Sequence, residues 1–558
     1  MAPASTNEPE VLIVGAGPVG LVLAIDLAQR GITVQVVERN DRTRQLPKME
    51  RCNARTMEIF RRLGIAEQVR AASKFRDVPM DVFVITSMAE PPLAHLAYPS
   101  VVAAQEETRR SADCGLPLEP YQLISQYTLE PLLKSVLETL PNASVRFSRR
   151  LVSFAQHRDH VVAEIEGPDG LETVSASYLV GCDGGASTVR KQLGIKLEGE
   201  GPLKHVHQIF FRSEQLFEKI AIGKGRHYYS PNGAMIVQDD LKHFMLNVYE
   251  IQEGTDPADI VLDFLRIPVD VEVLHTSEWN FNLLVAERYG EGRVHLAGDA
   301  AHLVIPVGGL GMNTGIGDAI DLGWKLAATL GGWGGPELLR SYETERRPVG
   351  QRNIRASREA AGGMLAWQRL CTVDLRDDTP ESRAIRRQVA QVASKTHRIG
   401  YEMTGIERGY RYVGSPLVID DGADAPDPDS MAFVPTSAPG TRIPHAWLAD
   451  GRALQDALGQ DFTLLKVGSR AINTSRIKQA FEELGVPIDV VEIPDEHLAS
   501  LLERRLFILR PDLHVAWRGN EPPGDPGRLA ATAVGLTGRL PARERGARTA
   551  SERKGRHG

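Results

Sequence analysis

At 558 residues, the chain exceeds what one hydrophobic core organises, and two or three domains are expected. The composition is globular, with 42% hydrophobic and 25% charged residues, and a net charge of -7 gives no reason to expect nucleic acid or a membrane surface as partner. Cys52, Cys114, Cys182 and Cys371 form neither a CxxC pair nor a metal-ligand cluster, and the first ten residues lack a secretory signal. No apolar stretch is long enough to span a bilayer, so a cytoplasmic protein with a small-molecule partner and no metal is expected.

In chain order, Glu10 to Val14 reads as a strand, a glycine-rich turn follows, and a helix from Leu21 to Arg30 closes at Gly31. A second strand, Thr33 to Glu38, completes a βαβ unit. Helices are expected over Asn53 to Leu63 and Gln126 to Thr139, separated by an irregular, proline-rich stretch at 75–120. Alternating strands from Val145 to Ile165 lead to Val174 through Gly184. Residues 205–285 predict several antiparallel strands, with a turn at Pro231-Asn232-Gly233.

The apolar strand Val294 to Leu296 suggests that the chain then returns to its first domain. Apolar residues at helical spacing from Thr314 to Leu330 open a helical region that runs to about Thr404. Residues 415–445 read as a linker. The strand Phe462 to Val467, the helix Ser475 to Leu484, the strand Ile488 to Ile493 and the pair Leu506 to Leu509 and His514 to Trp517 predict a small α/β domain. Arg543 to Gly558 is basic and poor in apolar residues, which predicts disorder.

Two motifs carry the chemistry. In Gly15-Ala16-Gly17-Pro18-Val19-Gly20, the first glycine permits a tight turn, the second admits a pyrophosphate to the backbone, and the third lets helix and strand pack closely. Glu38 ends the second strand where a carboxylate can accept from ribose hydroxyls, with Arg39 beside it. Far downstream, Gly298-Asp299 follows a strand and can reach a ribityl chain. The turn from Pro306 through Gly309, Gly311, Met312 and Asn313 then aims backbone N–H groups, and a helix dipole beginning near Thr314, at the N1–C2 edge of a flavin. Together the motifs define one long cofactor, FAD.

These motifs, with Cys182-Asp183-Gly184 through Arg190, Asn53 through Gly64 and Ile124 through Glu130, make the chain similar to the FAD-dependent aromatic hydroxylases. These are single-component flavoprotein monooxygenases of the para-hydroxybenzoate and phenol hydroxylase type. The resemblance covers about residues 10–520. It implies an α/β fold with a discontinuous Rossmann-like FAD domain, an inserted mainly β substrate domain and a C-terminal thioredoxin-like α/β domain.

The corresponding division is 1–75, 121–190 and 286–404 for the FAD domain and its helices, 76–120 as an irregular substrate-side segment, and 191–285 as the β-rich substrate domain. A linker occupies 405–445, the thioredoxin-like domain 446–540, and a disordered basic tail 541–558. The resemblance further implies that Asp183 serves both FAD and the nicotinamide, that Gln126 contacts FAD, that Asp299 binds the ribityl chain, and that Lys48 gives a cationic contact. With no cysteine after Cys371, the C-terminal domain is read as a packing or homodimer element without disulfide exchange.

The implied reaction is hydroxylation of a phenolic or polycyclic aromatic ring by O2 through a flavin C4a-hydroperoxide. NADPH or NADH acts as a transient cosubstrate, because no second GxGxxG follows a strand. Pro306 would border the reacting ring. His227 and Tyr229 are candidates to relay the phenolic proton, against the alternative that Tyr228 and Tyr229 merely alternate between core and surface. His302 reads as structural. Epoxidation, Baeyer–Villiger oxygenation and a non-catalytic FAD sensor remain open at this point.

Overall fold

A computed structural model describes residues 8–48, 50–111 and 113–536. The expectation of a disordered tail at 541–558 lies outside the described residues. The central sheet has the strand order Gly290–Glu291, Val294–Leu296, Tyr178–Gly181, Val11–Val14, Val34–Val37, Ala143–Arg146, all parallel except the first. Val11–Val14 and Tyr178–Gly181 are buried along their whole length, as strands covered on both faces must be. Three strands from distant parts of the sequence thus share one sheet, which makes the FAD domain discontinuous.

The helix Pro18–Gln29 packs on the helix Gly311–Leu330. Their approach is close enough that a Cβ on Gly323 would fall 2.2 Å from the Asp26 carboxylate. Gly311–Leu330 begins earlier than the Thr314 read from apolar spacing, because the first turn is held by the glycine loop before it and carries no apolar stripe.

A seven-stranded sheet forms the substrate domain, in the order Glu272–Asn280, His205–Arg212, His243–Val248, Gly233–Val237, His227–Ser230, Val82–Val84, Ala94–Leu96. The stretch expected to be irregular at 76–120 therefore supplies two strands at one end of the sheet, Ala94–Leu96 being the edge. It also supplies the helix Val101–Arg110, whose N-terminus is capped by the Ser100 hydroxyl accepting from the Ala103 N–H. Strands of three residues separated by prolines leave no period long enough to read. The hairpin at Pro231-Asn232 forms as expected, with Ser230 paired to Gly233.

The expected linker at 405–445 is a packed strap. It buries Tyr410, Tyr412, Leu417 and Ile443, and Arg411 bridges to Thr441. The C-terminal sheet runs Ile488–Ile493, Phe462–Val467, Leu506–Leu509, Val515–Gly519, with the helices Ser475–Glu483, Glu496–Leu501 and Pro526–Ala533.

This unit joins the FAD domain through buried charge. Arg510 donates to Glu345 at 2.6 Å, to Asp321 at 2.9 Å and to Asp512 at 2.7 Å, and Lys325 pairs with Asp321 at 2.7 Å. Burial pushes the Asp321 carboxyl well up, Glu345 adding to it, despite its cationic neighbours. Two buried cations, Arg510 and Lys325, thus hold three buried carboxyls, Asp321, Glu345 and Asp512. No helix among the described residues is long and apolar enough to cross a membrane.

Candidate active site

Four motif segments meet because they follow the carboxyl ends of adjacent parallel strands, where open α/β sheets bind ligands. Val11–Val14 leads into Gly15, Tyr178–Gly181 into Asp183, Val294–Leu296 into Gly298, and Val34–Val37 into Glu38. Gly15 has φ +109°, and a Cβ there would meet the Cys182 carbonyl at 2.4 Å. A Cβ on Gly20 would meet the Gly15 carbonyl at 2.1 Å, whereas one on Gly17 meets nothing within 4 Å. Gly15 and Gly20 are thus required by the fold. No protein atom demands glycine at position 17, whose backbone is left uncovered.

The helices starting at Pro18 and Gly311 have neither a side-chain cap nor an acid in the first turn, so their N–H groups face the cleft uncompensated. Glu38 accepts from the Ala16 N–H at 3.0 Å and the Asn40 N–H at 3.0 Å, which ties the carboxylate to the glycine turn. Arg39 is exposed beside it. One Asp183 oxygen accepts from Thr188 at 2.6 Å and Val189 at 3.2 Å; the other is buried without a hydrogen-bond partner among the described residues. Lys48 donates to Asp299 across the cleft. Burial opposes charge on Asp299, but the Lys48 ammonium holds its carboxyl below the usual range. The open face at Gly17, the bare helix starts and the orphaned Asp183 oxygen fit a pyrophosphate-bearing flavin.

Beside the backbone contact expected at Asn313, its side chain has a role within the protein. Its side chain accepts from the Asn53 N–H at 2.9 Å and the Thr56 hydroxyl at 2.7 Å, and donates to the Arg51 carbonyl at 3.0 Å and the Gly309 carbonyl at 2.6 Å. It is a clasp that fixes the Pro306–Gly311 turn, leaving only backbone to meet a flavin. Gly308 and Gly309, at φ +90° and +64°, make that turn, and the Gly309 N–H donates to the Pro306 carbonyl at 2.9 Å. Gly311 is open, since a Cβ there would meet no atom within 4 Å, and Met312 is partly buried against the FAD-domain core. Gln126 is buried and donates to Glu130. His302 donates or accepts at 2.7 Å with Asp318, which also pairs with Arg346, the structural role expected of it.

Beside the Pro306 turn lies a small cavity lined by His227, Tyr229, Tyr401, Glu50 and His397 among others. Tyr228 points the other way, stacked on Phe83 with centroids 5.2 Å apart, its hydroxyl donating to the Gly223 carbonyl at 2.8 Å. The strand's alternation therefore puts Tyr229, and not Tyr228, at the cavity. The hydroxyls of Tyr229 and Tyr401 are hydrogen-bonded at 2.9 Å, and Tyr401 meets His227 Nδ1 at 2.7 Å. His227 Nε2 lies 3.4 Å from Glu50, which pairs with Arg226 at 3.0 Å.

Burial, with Arg226 nearby, pushes His227 down to about 4. Burial opposes charge on Glu50, yet His227 and Arg226 hold its carboxyl at about 2. Burial raises both Tyr229 and Tyr401. Sequence reading found His227 and Tyr229 but missed Tyr401, Glu50, Arg226 and His397. Glu50 and Arg226 carried one weak signal, a charge flanking an already selected segment; Tyr401 carried none.

All four cysteines are free. Burial raises every one of the thiols, Cys114 and Cys371 to about 11, so none is poised for thiolate chemistry.

The fold and the cleft together define a flavin-dependent oxygenase. Residues 8–237 and 258–357 match the family described as FAD binding domain, and residues 436–539 match the aromatic-ring hydroxylase C-terminal domain. The chain belongs to the FAD-dependent aromatic-ring hydroxylases: it is a flavoprotein monooxygenase, with FAD as cofactor and NAD(P)H as cosubstrate.

Among its relatives is the FAD-dependent monooxygenase apdD of Emericella nidulans, 33% identical over 92% of this chain and 88% of that protein. The aklavinone 12-hydroxylase RdmE of Streptomyces purpurascens is 32% identical over 96% of this chain and 99% of that one. The structure of the rebeccamycin biosynthetic enzyme RebC with reduced flavin superposes with a TM-score of 0.85 at 34% identity, covering 95% of this chain and 99% of RebC.

Proposed function

We propose that this monooxygenase hydroxylates a phenolic ring within a fused polycyclic substrate, and that Tyr229, Tyr401 and His227 carry the phenolic proton. The hydrogen-bonded row from Tyr229 through Tyr401 to His227, beside the Pro306 turn, carries this reading. RdmE is named for aklavinone and RebC for rebeccamycin, which favours a large aromatic substrate here as well.

When bound, FAD supplies the activation of O2 and the oxygen atom that is transferred. This chain's residues do the rest. Asp183, Glu38, Asp299 and the backbone at Gly17, Gly309 and Gly311 are assigned to the cofactor. The Asn313 clasp keeps the Pro306 turn rigid, so the ring is held in one orientation and water is kept out.

Loss of the phenolic proton enriches the ring in electrons. Glu50 offers only acceptors, so His227 presents Nε2–H to it and Nδ1 as acceptor to Tyr401. Both hydroxyls can then turn toward the imidazole and pass a proton along the row. A depressed His227 does not retain that proton, and Glu50, about one-fifth exposed, is the outlet to solvent.

The test is a panel of phenols, naphthols and polycyclic hydroxyquinones, followed for NAD(P)H consumption and for a product heavier by one oxygen. Hydroxylated product from a polycyclic phenol is expected. A ring-expanded lactone or an epoxide would replace this reading, and flavin binding without substrate-dependent NAD(P)H oxidation would defeat it.

A further inference from the structure

The outer edge of the substrate sheet carries a cluster on the face opposite the buried Val206. His205 and His207 lie two residues apart on the strand His205–Arg212, so their side chains share a face. On the neighbouring edge strand, Glu278 is the direct register partner of His207, and Asn280 that of His205. Val206, between the histidines, is fully buried on the opposite face, which fixes the register and presents the other four residues together on the outside.

Glu278 reaches both rings with different oxygens, Oε2 lying 3.2 Å from His205 Nε2 and Oε1 lying 3.2 Å from His207 Nδ1. The three ligand atoms lie within 4.8 Å of one another. Zinc bonds of ~2.0–2.1 Å in tetrahedral geometry place ligand atoms about 3.3 Å apart, close to the two contacts of Glu278 at 3.2 Å. Asn280 Oδ1 lies 3.1 Å from His205 Nδ1. That oxygen can only accept, so Nδ1 carries a proton and Nε2 is the ring atom turned to the Glu278 carboxylate, where a metal ion can take the place of a proton between them. An outer hydrogen bond that fixes the tautomer of a histidine in this way is a recurrent feature of metal ligands.

We infer that His205, His207 and Glu278 form a surface site for a divalent transition-metal ion of the zinc type, oriented by Asn280 and completed by water. Two imidazoles and one carboxylate are borderline donors that select Zn2+ over Mg2+ or Ca2+. Occupied, the site ties the edge strand Glu272–Asn280 to its neighbour. No step of the oxygenase reaction uses these residues.

The experiment uses full-length, tag-free protein with FAD bound, treated with chelator and then titrated with Zn2+ alone by calorimetry, and with Co2+ alone by visible absorption. Saturable binding of one ion is expected, with a rise in Tm and no change in turnover. The pair H205Q/H207Q and the single variant E278Q should each abolish that binding while keeping the wild-type metal-free Tm and flavin content. N280A should weaken it about tenfold, as loss of an outer partner does. Absence of saturable Zn2+ binding, or binding of equal strength in H205Q/H207Q, overturns the assignment. Magnesium binding with the same stoichiometry and strength overturns it too.

Discussion

The FAD cradle and the aromatic cavity adjoin one another, yet they are built by opposite means. The cradle is made of backbone: Gly15, Gly17, Gly20 and the Gly308-Gly309 turn serve by lacking side chains, and each lies within a short contiguous motif. The cavity is made of side chains delivered singly, Glu50 from the stretch before the helix Ala54–Arg62, His227 and Tyr229 from the inserted sheet, and His397 and Tyr401 from the short helix after Pro380–Thr396 and the residue that ends it. A backbone site must keep its spacing to keep its shape. A side-chain site needs only that its groups arrive at one place, which many sequences can accomplish.

The sharpest way to break that contrast is Gly17→Val. Because a Cβ at Gly17 meets no protein atom, the variant should fold normally and lose FAD affinity on the order of 1,000-fold, ~4 kcal/mol. Gly20→Ala, by comparison, drives a Cβ to within 2.1 Å of the Gly15 carbonyl and should misfold. If folded Gly17→Val binds FAD as wild type does, measured by flavin fluorescence quenching, the pyrophosphate does not approach the backbone there.

Tyr401→Phe addresses the cavity in the same spirit. It removes one hydroxyl from the row and leaves the cradle intact, so FAD content and Tm should hold while kcat on a phenolic substrate falls on the order of 100-fold. The lost rate should return as pH is raised toward the ionisation of the substrate itself, since an already ionised phenol needs no relay. A kcat unchanged at neutral pH would reduce Tyr401 to wall material.

Between the two regions stands Asn313, and Asn313→Ala should disturb both moderately. Truncation leaves the Asn53 N–H, the Thr56 hydroxyl and the Arg51 and Gly309 carbonyls short of a partner, at ~1–3 kcal/mol for a buried group so stranded. Lower Tm together with a larger share of NAD(P)H spent on hydrogen peroxide, read by a catalase-sensitive oxygen electrode trace, is expected from a loosened turn. Tm loss without added peroxide would confine Asn313 to stability.

What could be read from the sequence follows the same division. The strands Phe462–Val467, Ile488–Ile493 and Leu506–Leu509 are where their apolar pattern puts them, and the glycine turns announce themselves because no other residue fits. The short strands Val82–Val84 and Ala94–Leu96 were hidden, since three residues contain no period and the strand that joins them to the sheet, His227–Ser230, lies over a hundred residues away. Asn313 was legible as part of a motif, though its side-chain role as a clasp was not, because its partners belong to the segment around Arg51 to Thr56. Tyr401 follows a helix with nothing around it to mark chemistry; only the folded chain brings its hydroxyl to His227.

The smallest effect expected is a pH signature confined to the cavity. His227, depressed to about 4 by burial and by Arg226, is neutral in the folded protein at pH values where an unfolded histidine, titrating near ~6.5, is already charged. The unfolded chain then binds more protons than the folded one between about 6.5 and 4, so stability is fullest above that window and declines as pH falls through it. Glu50, held at about 2, stays ionised throughout and adds no slope of its own until pH drops below ~4.5.

His295, His397, His445 and His514 are pushed down by burial as well, so the whole protein should lose Tm over this range and His227→Gln should remove only one share of the slope. The FAD cradle contains no histidine with such a shift among the described residues, and flavin release should therefore trail the loss of substrate binding on acidification. Parallel Tm-against-pH curves for wild type and His227→Gln, or flavin lost before substrate affinity, would show that the imidazole at the cavity is not held neutral by its surroundings.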